Sequence, residues 1–592
     1  MAIEYLTLFF YFALLLICGS QFAKFNKNIS DFVRGGAQGT WWMVGTSVTI
    51  GGISAFTFTG NGSAAFESGP TLLVIYCANL ASFALGGLFL ARWYRQTRAI
   101  TGADVIRDRF GTPVEQFSIY SGLLLGPLGS AIQLWALSLF VSAIFGFPLL
   151  TTIIVVGLIV LLYSVAGGKW AVMATDVVQG VILYAITILV GILAFIEVGG
   201  WDGFSQFLQK PEIAADFQFI KPAGYYNDNR FTWEWAVVIF IMQLLTQINL
   251  ASAGRYLAVK DGREAVRTAW WAFFLMAVGS LLWFIPPMVA RFLYSEQVLD
   301  LPLDDPATGA YAVAALNLLP NGMMGVMIAA MFAATMSSMD SGINGQTGVI
   351  VHNLIGRLRE LLKLPPLEDS RAVRLCRIVS ILLGLTTIVI ALVLATQGVV
   401  KLFDTFLLIG AVIGTPIALP LLVGLIFRKL PSWSYFLIFG FSVLPSGWSI
   451  LREQLLGQNP WTIQERGGWV LLFGLLGTAL SVALARFRGA AQRKREELFF
   501  TKMLTPVDFE TEIGENKDAA QAVLIGKTIF YSGLLLFLLI LVPNSLGSRV
   551  IVLGFASIVS LIGWSLFRFG QRSRTQLRSA LPPSPPTEKP LA

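Results

Sequence analysis

Histidine, cysteine and charge are all scarce in this chain, and each scarcity removes a class of function. A single histidine, His352, in 592 residues leaves no nucleophile–base pair and no histidine metal cluster to build on, so the chain is not read as an enzyme. His352 falls at the end of its apolar run and is given no special role. Cys18, Cys77 and Cys376 are scattered, without disulfide framework or metal-ligand spacing, and no cofactor is expected. Only 13% of residues are charged against 55% hydrophobic, far below the charge of a soluble domain, so the chain reads as an integral membrane protein. The net charge of +8 fits lysines and arginines gathered on cytoplasmic loops, and no nucleic-acid partner is expected.

What is abundant is apolar sequence in runs of about 20 residues, which implies helical spans and not a β-barrel. The runs fall at 3–21, 41–60, 72–90, 118–146, 149–165, 174–196, 234–251, 269–292, from about 323, and at 378–395, 402–427, 433–450, 469–485, 529–542 and 550–567. That gives about fifteen spans in an all-α membrane protein. The first run lacks a basic leader and a small-residue cleavage site, so it reads as an anchor. An outside N-terminus places the multi-basic loops around Arg92–Arg109, Arg255–Arg267, Arg357–Arg377 and Arg486–Arg495 in the cytoplasm. The acidic loop with Asp304 and Asp305 and the aromatic stretch 199–233 then lie outside, and the basic tail lies inside. A multi-pass protein of the cell membrane follows, with the bilayer as its one evident large partner; protein partners are not named by the sequence. The polar linker 486–527 is expected to rest on anionic lipid, and the PPSPP tail to be disordered.

The stretch 329–346 carries Thr335, Ser337, Ser338, Asp340 and Ser341 inside an apolar helix. Ala334, Ser337, Ser338 and Ser341 share one stripe at the helical period, with Asp340 on its flank. Small side chains admit a neighbouring helix closely, and hydroxyls and carboxylates are hard oxygen ligands. A carboxylate within a bilayer costs at least about 2.5 kcal/mol, so the stripe reads either as a cation site or as a packing face with Asp340 near water. In the second run, Gly51 and Gly52 each cost about 1 kcal/mol relative to alanine in mid-helix, which points to a broken helix with freed carbonyls at Ile50 and Ile53. Gln243 and Gln247 stand four apart on one face, suited to a hydroxylated or amide-bearing solute or to neighbouring helices. Gly167, Gly168 and Lys169 read as a tight turn, after which Asp176 and Gln179 enter the span. Pro416 and Pro420 should kink their helix, and Lys401 and Asp404 read as interfacial.

Four of these pieces together resemble the sodium/solute symporters, the family of bacterial sugar, proline, sialic-acid and pantothenate transporters and of the animal sodium–glucose cotransporters. They are W-W-x-V-G-x-S at 41–47, T-G-x-D-V-x-x-x-R-F-G at 101–111, G-G-x-x-A-V-x-x-T-D-x-x-Q at 167–179 and A-A-x-x-S-S at 333–338. The resemblance implies the leucine-transporter fold, with inverted five-helix repeats at 41–197 and 234–428 joined by an outer loop, 198–233. Around them would lie an N-terminal helix and loop (1–40), two further helices (429–486), the linker (487–527), two C-terminal helices (528–568) and a tail (569–592). It implies a sodium site made by the carbonyls of Ile50, Ile53 and Ala334 and the hydroxyls of Ser337 and Ser338. Some members hold a second sodium with an aspartate matching Asp176 and serines at 337, 340 and 341. Here position 340 is a carboxylate, so Asp176, Asp340 and Ser341 would bind a second cation tightly or share a proton. The solute would lie beside the breaks, near Ser54, Thr57, Gln133, Trp135, Gln243 and Gln247.

The function that follows is sodium-coupled import of a small polar solute by alternating access, with Na+ as coupling ion and H+ as the alternative second ion. Amides, hydroxyls and tryptophans suit a sugar or similar neutral polyhydroxylated compound. Amino acids, monocarboxylates and a solute-sensing role are the alternatives.

Overall fold

The structure, a computed structural model, describes residues 2–24, 29–164, 168–365, 367–396, 401–457, 459, 461–514 and 518–580. Gly167 of the expected turn and the PPSPP tail lie outside them. The described residues are built from helices, with one isolated β-bridge between Gly39 and Val259. Among the described residues, twelve helices are long and apolar enough to cross a membrane, and two shorter apolar ones, Leu149–Leu162 and Trp233–Ile248, accompany them. Length and composition therefore do not reach the expected fifteen. One reason is physical: the break after Trp41–Ile50 leaves a ten-residue helix too short to cross alone.

Local chemistry sets the helix ends. Thr101 and Asp104 form a reciprocal capping box at Gly102–Phe110. Asp261 takes the amides of Arg263 and Glu264 at 2.7 and 2.8 Å at the start of Gly262–Leu282. The wide turn Gly410–Gly414 directly precedes Pro416, which lies in the first turn of Thr415–Ile426. The kink expected of the prolines is thus taken up one step earlier, where the proline ring would crowd the preceding carbonyls.

Met323–Gly348 forms the centre of the molecule. Every residue from Met323 to Asp340 is buried, so this helix faces protein on all sides. Around it pack Lys169–Glu197, Thr112–Phe145 and the first helix, Ala2–Ala23. Gly180 lets Lys169–Glu197 approach the first half of the broken helix: a Cβ there would stand 3.0 Å from Thr46 and 3.1 Å from Ile50.

The region after the core differs from expectation. The linker contains the helix Ala490–Leu504, whose Glu496, Phe499, Phe500 and Met503 are buried against protein. Lys502 pairs with Asp108 at 3.0 Å, Arg98 with Glu512 at 2.8 Å, and Lys260 with Asp518. Gln521 donates to the Gln38 carbonyl at 3.0 Å and faces the Thr40 amide. This segment is bound to the protein's own loops through complementary charge and buried apolar side chains. The helix expected from 528 begins earlier, as Asp518–Leu536, and packs against Leu546–Ala580.

Candidate functional site

The expected break is present and its backbone is accounted for bond by bond. Trp41–Ile50 ends with Gly51 donating to the Ser47 carbonyl at 2.8 Å and Ile53 to the Ile50 carbonyl at 2.9 Å. Ser54 is extended (φ −144°, ψ 179°) and its hydroxyl accepts from the Phe56 amide, restarting a helix at Ala55–Phe58. The Ala55 amide reaches across to Thr335 of the central helix at 3.0 Å. The Ile53 carbonyl accepts no hydrogen bond among the described residues. Gly51 keeps this turn narrow, since a Cβ there would lie 3.0 Å from the Ser47 carbonyl and 3.4 Å from Ser341 Oγ.

On the central helix, Ser338 donates toward Gln133 Oε1 at 2.8 Å and the Thr335 carbonyl at 3.0 Å, which leaves its oxygen lone pairs available. Ser47 donates to Asp176 Oδ2 at 2.5 Å, while Asp176 Oδ1 and the neighbouring Ser337 Oγ have no hydrogen-bond partner in the protein. Asp340 is 4% exposed on the same helix as Ser337. Ala334, fully buried, lies one turn before Ser337 and Ser338. The structure therefore brings together the broken helix, the hydroxyl stripe and Asp176. Ser47, which sequence reasoning missed, is the direct link between the first and third of these. It lay inside the W-W-x-V-G-x-S motif, and that was the available signal.

The solute candidates are placed less as expected. Gln243 donates to Asn79 Oδ1 at 2.9 Å, and Gln247 accepts from Arg255. Thr57 adjoins Tyr76, whose hydroxyl accepts from Asn61 at 2.9 Å. Trp135 has a buried ring N–H without a partner. Arg255 was read as a loop residue. A tight helical turn, Leu250–Arg255, folds it back so that its guanidinium reaches Gln247 inside the protein. Nothing in residue type alone distinguishes it from the other loop arginines, and Asn79 inside an apolar run was a signal left unused.

A cavity of about 550 Å³ opens from the arginine-rich face to the break. Ser47, Gly51, Gly52 and Ser341 line it at the break, and Arg34, Thr101 and Arg255 belong to its loop-side wall. Among the described residues, its charged lining is Arg34, Lys169 and Arg255, with no aspartate or glutamate. Ser54, Thr57, Gln133, Trp135, Gln243 and Gln247 do not line it: the glutamines are turned to protein partners, and the residues after the break lie beyond it. The opposite face is closed by ion pairs, Lys401–Glu67 at 2.5 Å, Arg230–Asp404 at 3.4 Å and Arg291–Asp216 at 3.3 Å. Lys401 and Asp404 are thereby each held in an ion pair at that face.

A helix broken opposite a hydroxylated central helix, with a cavity leading to the break, is the arrangement of discontinuous helices that secondary transporters use. Residues 32–432 match the model of the Sodium:solute symporter family, and the chain belongs to that family. It is 24% identical over 436 residues to the sodium/sialic acid symporter SiaT of Proteus mirabilis, covering 72% of this chain and 85% of that one. It is 24% identical over 475 residues to the mouse sodium/glucose cotransporter 1 (73% and 69% covered). To the human sodium/myo-inositol cotransporter 2 it is 25% identical over 467 residues (72% and 66%). A solved substrate-bound, outward-open Na+-coupled sialic acid symporter superposes with a TM-score of 0.68 at 21% identity, covering 81% of this chain and 97% of that one, which carries the fold and not the solute. The protein is a multi-pass membrane transporter of the leucine-transporter fold that couples a solute to Na+.

Proposed function

We propose that this transporter imports a small polyhydroxylated solute together with Na+. The observation that carries the reading is the pairing of the broken helix with the central helix: the open Ile53 carbonyl and the Ser337 and Ser338 hydroxyls belong to the two elements that Ala55 and Thr335 tie together. In this reading the carbonyls of Ile50, Ile53 and Ala334 and the hydroxyls of Ser337 and Ser338 hold one Na+. Asp176, Asp340 and Ser341 hold a second cation, Na+ or H+, with Ser47 orienting Asp176. Two buried carboxylates near one pocket favour either a bound cation or a shared proton. The inverted repeats are 41–197 and 234–428, the arginine-rich face is cytoplasmic, and the open cavity is the inward-facing state.

The solutes named for the relatives support this class: sialic acid, glucose and myo-inositol share a ring of hydroxyls, which the amides Asn79, Gln133, Gln243 and Gln247 and the hydroxyls Ser54 and Thr57 are suited to bind once the site forms. A carboxylate-bearing sugar is favoured over a neutral one by a single observation, the cavity lined by Arg34, Lys169 and Arg255 without an acid.

Proteoliposomes with and without an inward Na+ gradient, offered labelled glucose, myo-inositol, sialic acid, amino acids and short-chain acids, test the reading. Gradient-dependent uptake of a polyhydroxylated compound supports it. Uptake confined to amino acids or short-chain acids overturns the solute class. A solute that raises the melting temperature in Na+ without being accumulated favours a sensor.

A further inference from the structure

Asp176 lies in a pocket whose far wall is not accounted for by the ligands named above. Gln179, one turn further along the same helix, is completely buried, and neither its Oε1 nor its Nε2 has a hydrogen-bond partner in the protein. Tyr11 of the first helix is 7% exposed and its hydroxyl is likewise buried and unpartnered. This hydroxyl faces Gln179 and feels the charge of both Asp176 and Asp340. With Asp176 Oδ1 and Ser337 Oγ, five polar atoms on three helices face one another in one buried region, and among the described residues none has a hydrogen-bond partner outside it. Each orphaned group costs about 1–3 kcal/mol, and folded proteins leave few of them. Four of the five are oxygens, the donor set of a small hard cation, and the amide N–H remains to hold a ligated water or the Tyr11 oxygen.

We propose that Gln179 and Tyr11 form the outer wall of the Asp176 cation site, so that the first helix, which stands outside the two repeats, positions the ion. The inference rests on the second-cation reading above. Tyr11 has a further task at this place. On its other side lies an apolar groove of about 390 Å³ between the first helix and the last two, lined by Leu6, Phe10, Leu14, Leu535 and Leu539. Tyr11 itself lines that groove, while its hydroxyl faces Gln179. A phenylalanine at this position keeps the wall and removes the polar group, whereas an alanine opens the wall.

The test uses the full chain in lipid nanodiscs and Na+ alone as probe. Thermal stabilisation is titrated with NaCl against choline chloride and repeated with LiCl, for wild type, Asp176→Asn, Tyr11→Phe, Gln179→Leu and Gln179→Glu. Tyr11→Phe and Gln179→Leu should each raise the half-saturating Na+ concentration by about 3- to 10-fold, the loss of one polar interaction, and shift the Li+/Na+ preference. Gln179→Glu, which keeps an oxygen at the site, should restore binding. If Asp176→Asn weakens Na+ binding while Tyr11→Phe and Gln179→Leu titrate as wild type, the second site stands and this wall does not. A lowered sodium-free melting temperature with an unchanged titration assigns the pair a packing role and overturns the proposal. If Asp176→Asn itself titrates as wild type, the second-cation reading falls, and this inference with it.

Discussion

Ala55 N donates to Thr335 Oγ1 at 3.0 Å, so the central helix satisfies the first-turn amide that the Ser54 cap does not reach. Both groups are buried. Thr335→Val keeps the shape and removes the acceptor, leaving a buried amide unsatisfied. A loss of about 1–3 kcal/mol is expected, read as a lower melting temperature in nanodiscs. Thr335→Ser should recover most of it, because it retains the hydroxyl.

The two carboxylates predict a stoichiometry. With Asp176 and Asp340 both buried, more than one cation should move per cycle in the wild type. Asp340→Ser, which removes one acid from the pocket, should lower the charge moved per solute or the steepness of the Na+ dependence while solute affinity at saturating Na+ is kept. Parallel current and uptake measurements in proteoliposomes decide this. A ratio of one Na+ per solute without proton flux in the wild type counts against the second site.

The segment after the core should act as a strap. Arg98 binds Glu512 twice, at 2.9 and 2.8 Å, and also the carbonyls of Thr505 and Pro506 at 3.2 and 2.8 Å. The ion pair is partly exposed and on its own is worth about 0–1 kcal/mol. Arg98→Ala should therefore cost more than Glu512→Ala, because it also strips two carbonyls of their donor. Amide exchange across 490–512 would show the difference as faster opening in the arginine variant.

Acid should loosen the arginine-rich face through Asp104. Burial alone would raise this carboxyl; the His352 ring, the Thr101 backbone and Arg107 outweigh burial and hold it below the usual carboxylate range. His352 lies 3.6 Å from Asp104 and Asn353 donates to it at 2.9 Å, so the lone histidine, read as idle, belongs to this cluster. A carboxyl depressed in the folded state contributes stability that is fully present above its unfolded value of about 3.9 and is lost as pH falls through the folded value. Melting temperature followed below about pH 4 should fall more steeply in the wild type than in Asp104→Asn.

Much of the architecture was readable because a bilayer imposes strong rules. Apolar length marks the helices, Gly51 and Gly52 mark the break, and hydroxyls with a carboxylate inside an apolar helix mark the proposed cation site, since each is costly unless used. The family motifs then tied these features to one fold. The partners of Gln243 and Gln247 were not legible, because an amide on a helix face gives no sign of whether Asn79 or Arg255 will reach it. The linker's ion pairs were not legible for a related reason: Lys502 looks like any other basic residue, and only the folded chain brings it to Asp108.

The sequence by itself determined that this is a helical membrane transporter with a broken helix facing a hydroxylated one, since hydropathy, backbone propensity and motif are local properties of the chain. The tertiary structure decided which face the cavity opens to, that Ser47 meets Asp176, and that Tyr11, more than 160 positions away, stands beside Gln179. Those are contacts between distant segments, fixed by how helices pack, and no residue's type encodes its partner across that distance.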